Sequence, residues 1–169
     1  MTAPRQRPPT GAGHVSLDRT PDQAPLEHAP IELEHFLPYR LSILSNTVSQ
    51  AIADDYQRRH DLTVTEWRVM AVLGRFDGLS AREVAERTAM DKVAVSRALA
   101  RLVDAGRVNR STHDGDKRRS VLSLTEAGWL IHNDVAPMAR AREREVLAKL
   151  DPEEQQWLQR ILDKLQSVK

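Results

Sequence analysis

The sequence of 169 residues contains no cysteine, which excludes disulfides, zinc–thiolate sites and cysteine-based oxidation sensing. Aromatic residues make up only 4% of the chain, whereas leucine, alanine, valine and arginine dominate, and this composition favours helices. No hydrophobic run approaches the ~18 residues needed to span a membrane, and the N-terminus lacks the apolar core of a signal peptide. We therefore expect a cytoplasmic protein without membrane contact, long enough for one domain with a substantial core.

Signatures of catalysis and of metal binding are also missing. The six histidines show no spacing that would clamp a metal ion. No glycine-rich phosphate loop follows a predicted strand, and no nucleophile lies in an elbow motif. Asp54 and Asp55 are neighbours, but adjacent side chains on a helix diverge by ~100° and cannot easily share one site. The sequence therefore predicts neither an enzyme nor a bound metal or cofactor.

The first 30 residues differ in composition from the rest of the chain. Almost no large apolar side chains occur there, so burial cannot offset the entropy that ordering would cost. We expect a mobile, proline-rich tail over residues 1–30, in which Arg5 and Arg7 are cations that could touch a phosphate-bearing partner, although an inert tail is the favoured interpretation. The prolines of this segment are Pro4, Pro8, Pro9, Pro21, Pro25 and Pro30.

Long amphipathic helices are predicted on both sides of a central region. Over residues 31–60, apolar side chains recur every three or four positions, and Pro38 either kinks this helix or lies in its first turn. Residues 126–169 predict a second long helix, interrupted around Pro137, and a last helix with Asp151 as N-cap before a proline at N1. Each of these helices has an apolar face too large to leave in water.

The central region, residues 61–125, has the pattern of a helix-turn-helix followed by a hairpin. Ser80 and Glu83 form a capping box at the start of one short helix. Asp91 is a good N-cap for a second helix, and Gly106 ends that helix as a residue that tolerates positive φ. These signals place the second helix between residues 91 and 106, with its apolar side chains inward.

The predicted hairpin joins residues 107–111 to residues 120–124 through an Asp-Gly turn signal. The chain as a whole is nearly neutral, with a net charge of +1, but this hairpin is locally basic. Cations concentrated on one hairpin indicate directed contact with phosphates rather than general attraction to polyanions. Its basic residues are Arg107, Arg110, Lys117, Arg118 and Arg119, against the acidic residues Asp114 and Asp116.

Four segments follow one another along the chain: LTVTEWRVM from Leu62, the helix pair of residues 80–106, DKR from Asp116 and LTEAG from Leu124. Together and in this order they resemble the MarR family of transcription regulators. The resemblance spans residues 33–165. It implies a mainly α fold with a small β-hairpin wing, that is, a winged helix-turn-helix between long N- and C-terminal dimerisation helices. It also implies a homodimer on double-stranded DNA, whose two modules read an inverted repeat in major grooves ~34 Å apart.

The charge pattern and the resemblance together predict the DNA contacts. Small residues at Ala94 and Ser96 allow close approach to a duplex, and Lys92 and Arg97 supply positive charge. By resemblance, Arg118 enters the minor groove and Asp116 orients nearby basic side chains. The candidate DNA-binding residues are Ser80, Arg82, Lys92, Val93, Ala94, Ser96, Arg97, Arg101, Asp116, Lys117, Arg118 and Arg119.

The resemblance further implies a small effector bound between the long helices and the DNA-reading lobe. Arg40 among aromatic and hydroxyl groups would suit an aromatic carboxylate or a phenol, although the same residues could instead belong to the core or to an interface. The candidate ligand-binding residues are Phe36, Tyr39, Arg40, Ile43, Ser45, Asn46, Trp67 and Met70.

Residues 38–46 and 89–97 are similar to a MarR subgroup that regulates aromatic-acid catabolism, some members of which sense hydroxycinnamoyl-CoA thioesters. The CoA phosphates would need cations, for which Arg40, Arg58, Arg59 and His60 are candidates. The predicted function is that of a repressor released from its operator by an aromatic acid or its CoA thioester. Two alternatives remain open, namely an activator of the same family and a winged-helix module that binds only proteins.

Overall fold

The computed structural model describes residues 30–113 and 116–167, and the side chains of residues 112–119 lie outside the described part. The tail predicted over residues 1–30 also lies outside it, apart from the exposed Pro30. The described residues form six helices and one hairpin in the order α1 (Leu37–His60), α2 (Val64–Arg75), α3 (Ala81–Thr88), α4 (Lys92–Asp104), β1 (Val108–His113), β2 (Asp116–Leu124), α5 (Glu126–Leu147) and α6 (Pro152–Gln166). This order is the predicted winged helix-turn-helix between long helices.

Helix α1 begins at Leu37, later than the apolar periodicity predicts, because residues 33–35 form a turn. Pro38 lies in the first turn of the helix, where its missing N–H would have no intrahelical partner anyway. The sequence allowed Pro38 either to kink this helix or to lie in its first turn, and the second of these positions is the one observed. The helix ends at His60, and Asp61 closes it in a left-handed conformation with φ 46°.

The helix starts that the sequence predicts are confirmed by side-chain caps. The Ser80 hydroxyl accepts a hydrogen bond from the Glu83 amide at 3.3 Å, and the Glu83 carboxylate accepts one from the Ser80 amide at 2.8 Å. Asp91 caps α4 and Asp151 caps α6, in each case by accepting from two amides. At the end of α4, Gly106 has φ 67°, the positive angle expected of it. These local interactions fix where α3, α4 and α6 begin and where α4 ends.

The hairpin is longer than predicted, and an isolated β-bridge joins its second strand to the segment before α3. Its register pairs Val108 with Leu124 and Arg110 with Leu122. On the other side of β2, the Leu122 amide donates to the Leu79 carbonyl at 2.8 Å. This bridge attaches the wing to the loop between α2 and α3, a contact that the sequence does not reveal.

The hydrophobic core lies between α2, α3, α4 and β2, and α1 and α5 close it with Tyr56 and Val135. Helix α5 runs without a break from Glu126 to Leu147, so the prediction of an interruption around Pro137 is wrong. Proline removes one backbone hydrogen bond and frees the carbonyl four residues earlier. Pro137 and Asn133 are both exposed, so water can hydrate that carbonyl and the helix continues.

Two regions remain apolar and uncovered in the single chain. None of the residues of α6 is buried, and its Trp157, Ile161 and Leu165 are about half exposed. In the first half of α1, Leu37 and Leu44 are similarly exposed. Among the described residues, no helix is both long and apolar enough to cross a membrane.

Candidate nucleic-acid interface and effector cleft

Helix α4 buries one face and leaves the opposite face in solvent. Its start is fixed by Asp91, whose Oδ1 accepts from the amides of Val93 at 2.9 Å and Ala94 at 3.1 Å. The inward face packs the core through Val95, Ala98, Leu99 and Leu102, all of them buried. The remaining face is therefore held rigidly while it stays free to contact a partner.

The outer face of α4 carries the predicted DNA-contacting residues. Lys92, Ser96 and Arg97 are exposed, and Ala94 is half-buried beside them. Val93 is 55% exposed, an unusual position for a large apolar side chain unless it meets another apolar group, such as the methyl group of thymine. Neither Lys92 nor Arg97 has an ion-pair partner within residues 30–113 and 116–167. The face thus offers unneutralised cations beside small and apolar side chains.

Arg101, the last α4 residue in the predicted set, is held by another helix. Its Nε lies 2.9 Å from Oε1 of Glu66 on α2, and the Glu66 side chain is only 4% exposed. The other Glu66 oxygen accepts from the amide and hydroxyl of Thr63 at 2.7 and 2.8 Å. Arg101 is therefore both a predicted DNA contact and, among the described residues, the only cation paired with the buried Glu66 carboxylate. A capping box at Thr63 and Glu66 could have been recognised in the sequence, but the pairing with Arg101 could not.

Thr63 and Arg101 also line a groove of about 260 Å³ between the start of α2 and α4, together with Arg97. Glu66 also lines this groove and is paired with Arg101, so Arg97, unpaired in the described part of the chain, supplies the positive charge next to the exposed face of α4. The groove therefore continues the surface on which the DNA contacts were predicted.

The two candidates at the start of α3 already have partners within their helix. The Ser80 hydroxyl donates to Oε2 of Glu83 at 2.7 Å. The Arg82 guanidinium binds Glu86 at 2.8 Å, and this hydrogen bond raises the pKa of Arg82. Arg82 nevertheless remains largely exposed, so it can still approach a phosphate. Ser80 has the structural role of a cap.

The wing candidates Asp116, Lys117, Arg118 and Arg119 lie in β2, but their side chains are outside the described part. At the base of the wing, Arg107 donates to the backbone carbonyls of His60 at 2.6 Å and Asp61 at 3.3 Å. One of the basic hairpin residues therefore binds the end of α1.

The predicted ligand-binding residues lie in three different environments. Those on α1 are exposed in the single chain, namely Phe36, Tyr39, Arg40, Ile43, Ser45 and Asn46. Met70 is fully buried in the core, so a ligand could not reach it without opening that core. Trp67 lines a cleft, but with residues of α5 rather than with the α1 candidates. The structure thus places Trp67 alone of this set beside the cleft described next.

This cleft, between α2 and α5, has a volume of about 310 Å³. Ala71, Gly74, Ala136 and Ala139 leave the space open because their side chains are small, and a β-carbon on Gly74 would lie only 2.5 Å from Nε2 of His132. The remaining lining residues are Trp67, Arg75, His132 and Arg140. Aromatic walls and two arginines suit a flat ligand with a negative charge.

Behind the cleft, aromatic rings form a continuous series through the protein. Tyr56 lies 5.9 Å from Trp67, Trp67 lies 5.7 Å from His132, and His132 lies 5.2 Å from Trp129, all between ring centroids. The Tyr56 hydroxyl is buried with no hydrogen-bond partner in the described part of the chain, and burial raises its pKa to about 12. The series therefore connects the cleft to the core beneath α1.

Comparisons with known proteins agree with this architecture. A family model for the MarR family matches residues 60–119, which contain the helix-turn-helix and most of the wing. An HTH-type transcriptional repressor of Mycobacterium tuberculosis is 30% identical over 133 residues, which are 78% of this chain and 92% of that protein. The chain belongs to the MarR family.

Other known proteins are also similar over more than half of the chain. The homoprotocatechuate degradative operon repressor of Escherichia coli is 26% identical over 106 residues, which are 63% of this chain and 72% of that repressor. The crystal structure of a MarR/EmrR family regulator from Acinetobacter sp. ADP1 superimposes with a TM-score of 0.73 at 26% identity, covering 80% of this chain and 96% of the other. The protein is thus a helix-turn-helix transcription regulator and not an enzyme.

Proposed function

We propose that this MarR-family regulator binds an inverted-repeat operator as a homodimer, with α4 in the major groove and the wing beside it. The observation that carries the proposal is the outer face of α4, where Lys92, Ser96 and Arg97 are exposed next to the apolar Val93. Cations without acidic partners provide affinity for phosphates, and small or apolar neighbours allow the helix to approach base edges.

The test compares binding of the purified protein to DNA from its own flanking region and to random duplex, by fluorescence anisotropy. Arg97→Ala should weaken operator binding by roughly five- to a hundredfold, the range expected when a base-contacting arginine is lost. Arg144→Ala, an exposed arginine on α5, is the matched control and should leave the operator affinity unchanged. Equal losses of Arg97→Ala on operator and random DNA would reduce Arg97 to a phosphate contact.

The homodimer is supported by the uncovered apolar faces of α1 and α6. Trp157 and Ile161 are 53% and 51% exposed, and Leu44 is 56% exposed, although most large apolar side chains in a folded protein are buried. A second copy of the chain, docked through the same helices, would remove these faces from water. Light scattering should give twice the chain mass for the wild type, and Ile161→Glu should shift the protein towards the mass of one chain. A wild type of single-chain mass at micromolar concentration would contradict the dimer.

The effector site that we propose is the cleft between α2 and α5. Trp67 and His132 offer aromatic walls, and Arg75 and Arg140 offer cations for a carboxylate. The similar E. coli protein is a repressor of a homoprotocatechuate degradative operon, which supports an aromatic acid as effector here. The α1 residues first predicted, from Phe36 to Asn46, do not line this cleft, although Ser45 accepts a hydrogen bond from Arg68 of α2 at 3.4 Å.

The regulatory step that follows is release of a repressor from its operator. A ligand that lowers operator affinity a hundredfold must bind the DNA-free form better by roughly 2.7 kcal/mol. Thermal shift with a series of aromatic acids tests the site directly, because a ligand that binds the folded state raises Tm. Wild-type protein should respond and Arg140→Ala should respond less. A response that Arg140→Ala retains in full would place the effector elsewhere.

A further inference from the structure

Val93 differs from the other exposed apolar side chains in its place in the fold. Among residues 61–111 and 120–125 it is the only large apolar side chain that is exposed, at 55%. The other exposed apolar side chains of the described part belong to α1 and the segment before it, to α5 and to α6. A second copy of the chain would cover those of α1 and α6, as proposed above, whereas Val93 lies on the helix proposed to enter the major groove.

The Val93 side chain is directed away from the core. Side chains advance by about 100° per residue around an α-helix, so Val93 lies on the opposite side of α4 from the buried Val95, two positions later. Arg97 follows Val93 by four residues and therefore lies on the same face, one turn further along. Val93 and Arg97 thus form the outermost line of α4, and the exposed Ala100 continues it.

Local helix stability does not account for a valine at this position. A β-branched side chain loses rotamer freedom in a helix, and valine is a poorer helix former than alanine. The helix start is fixed by Asp91, which accepts from the backbone amides of Val93 and Ala94 at 2.9 and 3.1 Å and does not need the valine side chain. The exposed methyl groups of Val93 are therefore available for a contact outside the chain.

We propose that Val93 packs against the 5-methyl group of a thymine in the major groove and that, together with Arg97, it determines which half-site the protein binds. This inference rests on the DNA-binding function proposed above. Thymine is the only one of the four bases that presents a methyl group in the major groove, where apolar side chains contact it. Arg97 suits guanine, whose O6 and N7 accept two hydrogen bonds from one guanidinium group.

The spacing of the two side chains limits the spacing of the two bases. Four residues advance by about 6 Å along an α-helix, and successive base pairs are stacked about 3.4 Å apart. The thymine and the guanine should therefore lie within about two base pairs of each other. An inverted repeat bound by a dimer contains this pair of bases once in each half-site.

The experiment measures binding of the full-length protein to its operator, located by footprinting of the flanking DNA, after replacement of single bases. Deoxyuridine in place of thymidine removes only the methyl group and leaves every phosphate charge unchanged. At one thymine of each half-site this replacement should weaken binding about fourfold, the effect of exposing one buried carbon group, and about fifteenfold when both half-sites carry it.

Two variants assign this effect to its side chain. Val93→Ala should lose most of the deoxyuridine penalty, and it should fold like the wild type because alanine is the better helix former. Leu130→Ala, which shortens an exposed apolar side chain on α5, is the matched control and should keep the penalty in full.

An operator that tolerates deoxyuridine at every thymine would overturn the inference and leave the DNA-binding function standing. A deoxyuridine penalty that persists in full in Val93→Ala would also overturn it, because another side chain would then contact the methyl group. A wild-type protein that leaves no footprint on the flanking DNA would refute the DNA-binding function itself, and this inference with it.

Discussion

Replacing Arg101 by alanine separates two roles that one side chain could have. As a DNA contact, Arg101 would contribute to operator affinity and little to stability. As the partner of Glu66, at 2.9 Å, it would contribute mainly to stability, because its loss leaves a carboxylate that is only 4% exposed without a cation. The structure favours the second role.

The size of the effect follows from the exposure of the two partners. Breaking a fully buried ion pair costs about 3–5 kcal/mol, and an exposed pair contributes about 0–1 kcal/mol. The Arg101 side chain is 59% exposed, so water can partly replace it, while the second Glu66 oxygen keeps its two hydrogen bonds from Thr63. We therefore expect Arg101→Ala to lower the free energy of unfolding by about 2 kcal/mol, equivalent to a fall in Tm of about 4–8 °C for a chain of this size.

The assay is thermal and urea unfolding followed by circular dichroism, at one fixed protein concentration because a dimer's stability depends on it. Adding Glu66→Gln to Arg101→Ala should restore part of the loss, since the amide carries no charge that needs a partner. Arg97→Ala, one turn earlier and exposed, is the control and should keep its Tm while losing operator affinity. An Arg101→Ala protein with unchanged Tm and weakened operator binding would refute this reasoning and restore Arg101 as a DNA contact.

Three further substitutions test other contacts. Gly128→Ala should lower Tm by several degrees in a melting curve, because its β-carbon would lie 2.1 Å from the Arg107 carbonyl oxygen, and a normal Tm would contradict that close approach. Tyr56→Phe should unfold at the same or higher urea concentration at pH 7, since it removes a buried hydroxyl without a partner. The raised pKa of about 12 also means that wild-type stability falls as the pH rises from 10 towards 12, and Tyr56→Phe should lose less there. Gly74→Ala should prevent aromatic acids from raising Tm, because the methyl group meets His132, and a retained response would move the effector out of the cleft.

The parts of the fold that the sequence predicted depend on interactions between near neighbours. The caps at Ser80, Asp91 and Asp151 each join residues two or three positions apart, so the pattern of side chains is enough to recognise them. The same holds for Gly106, where a short sequence already requires a positive φ. Helix boundaries in the DNA-reading region were therefore predictable.

The features that escaped prediction depend on which surfaces meet in space. The ion pair of Arg101 with Glu66 joins residues of two helices, and the bridge of Leu79 to Leu122 joins a loop to the wing. The α2/α5 cleft exists because small residues on both helices face each other, which no single helix reveals. Pro137 shows the converse, since a rule valid for an isolated helix fails where solvent can hydrate the freed carbonyl.

Arg107 joins the base of the wing to the end of α1, so a tilt of that helix would be passed to the wing. Two hydrogen bonds to the carbonyls of His60 and Asp61 fix the hairpin base to the long helix, and the Arg107 carbonyl in turn accepts from the Thr125 amide at 3.1 Å, just before α5. A hairpin six residues long extends roughly 20 Å from such a pivot. A tilt of α1 by about 10° would then displace the far end of the hairpin by roughly 3.5 Å, a distance comparable to one base-pair step of a duplex.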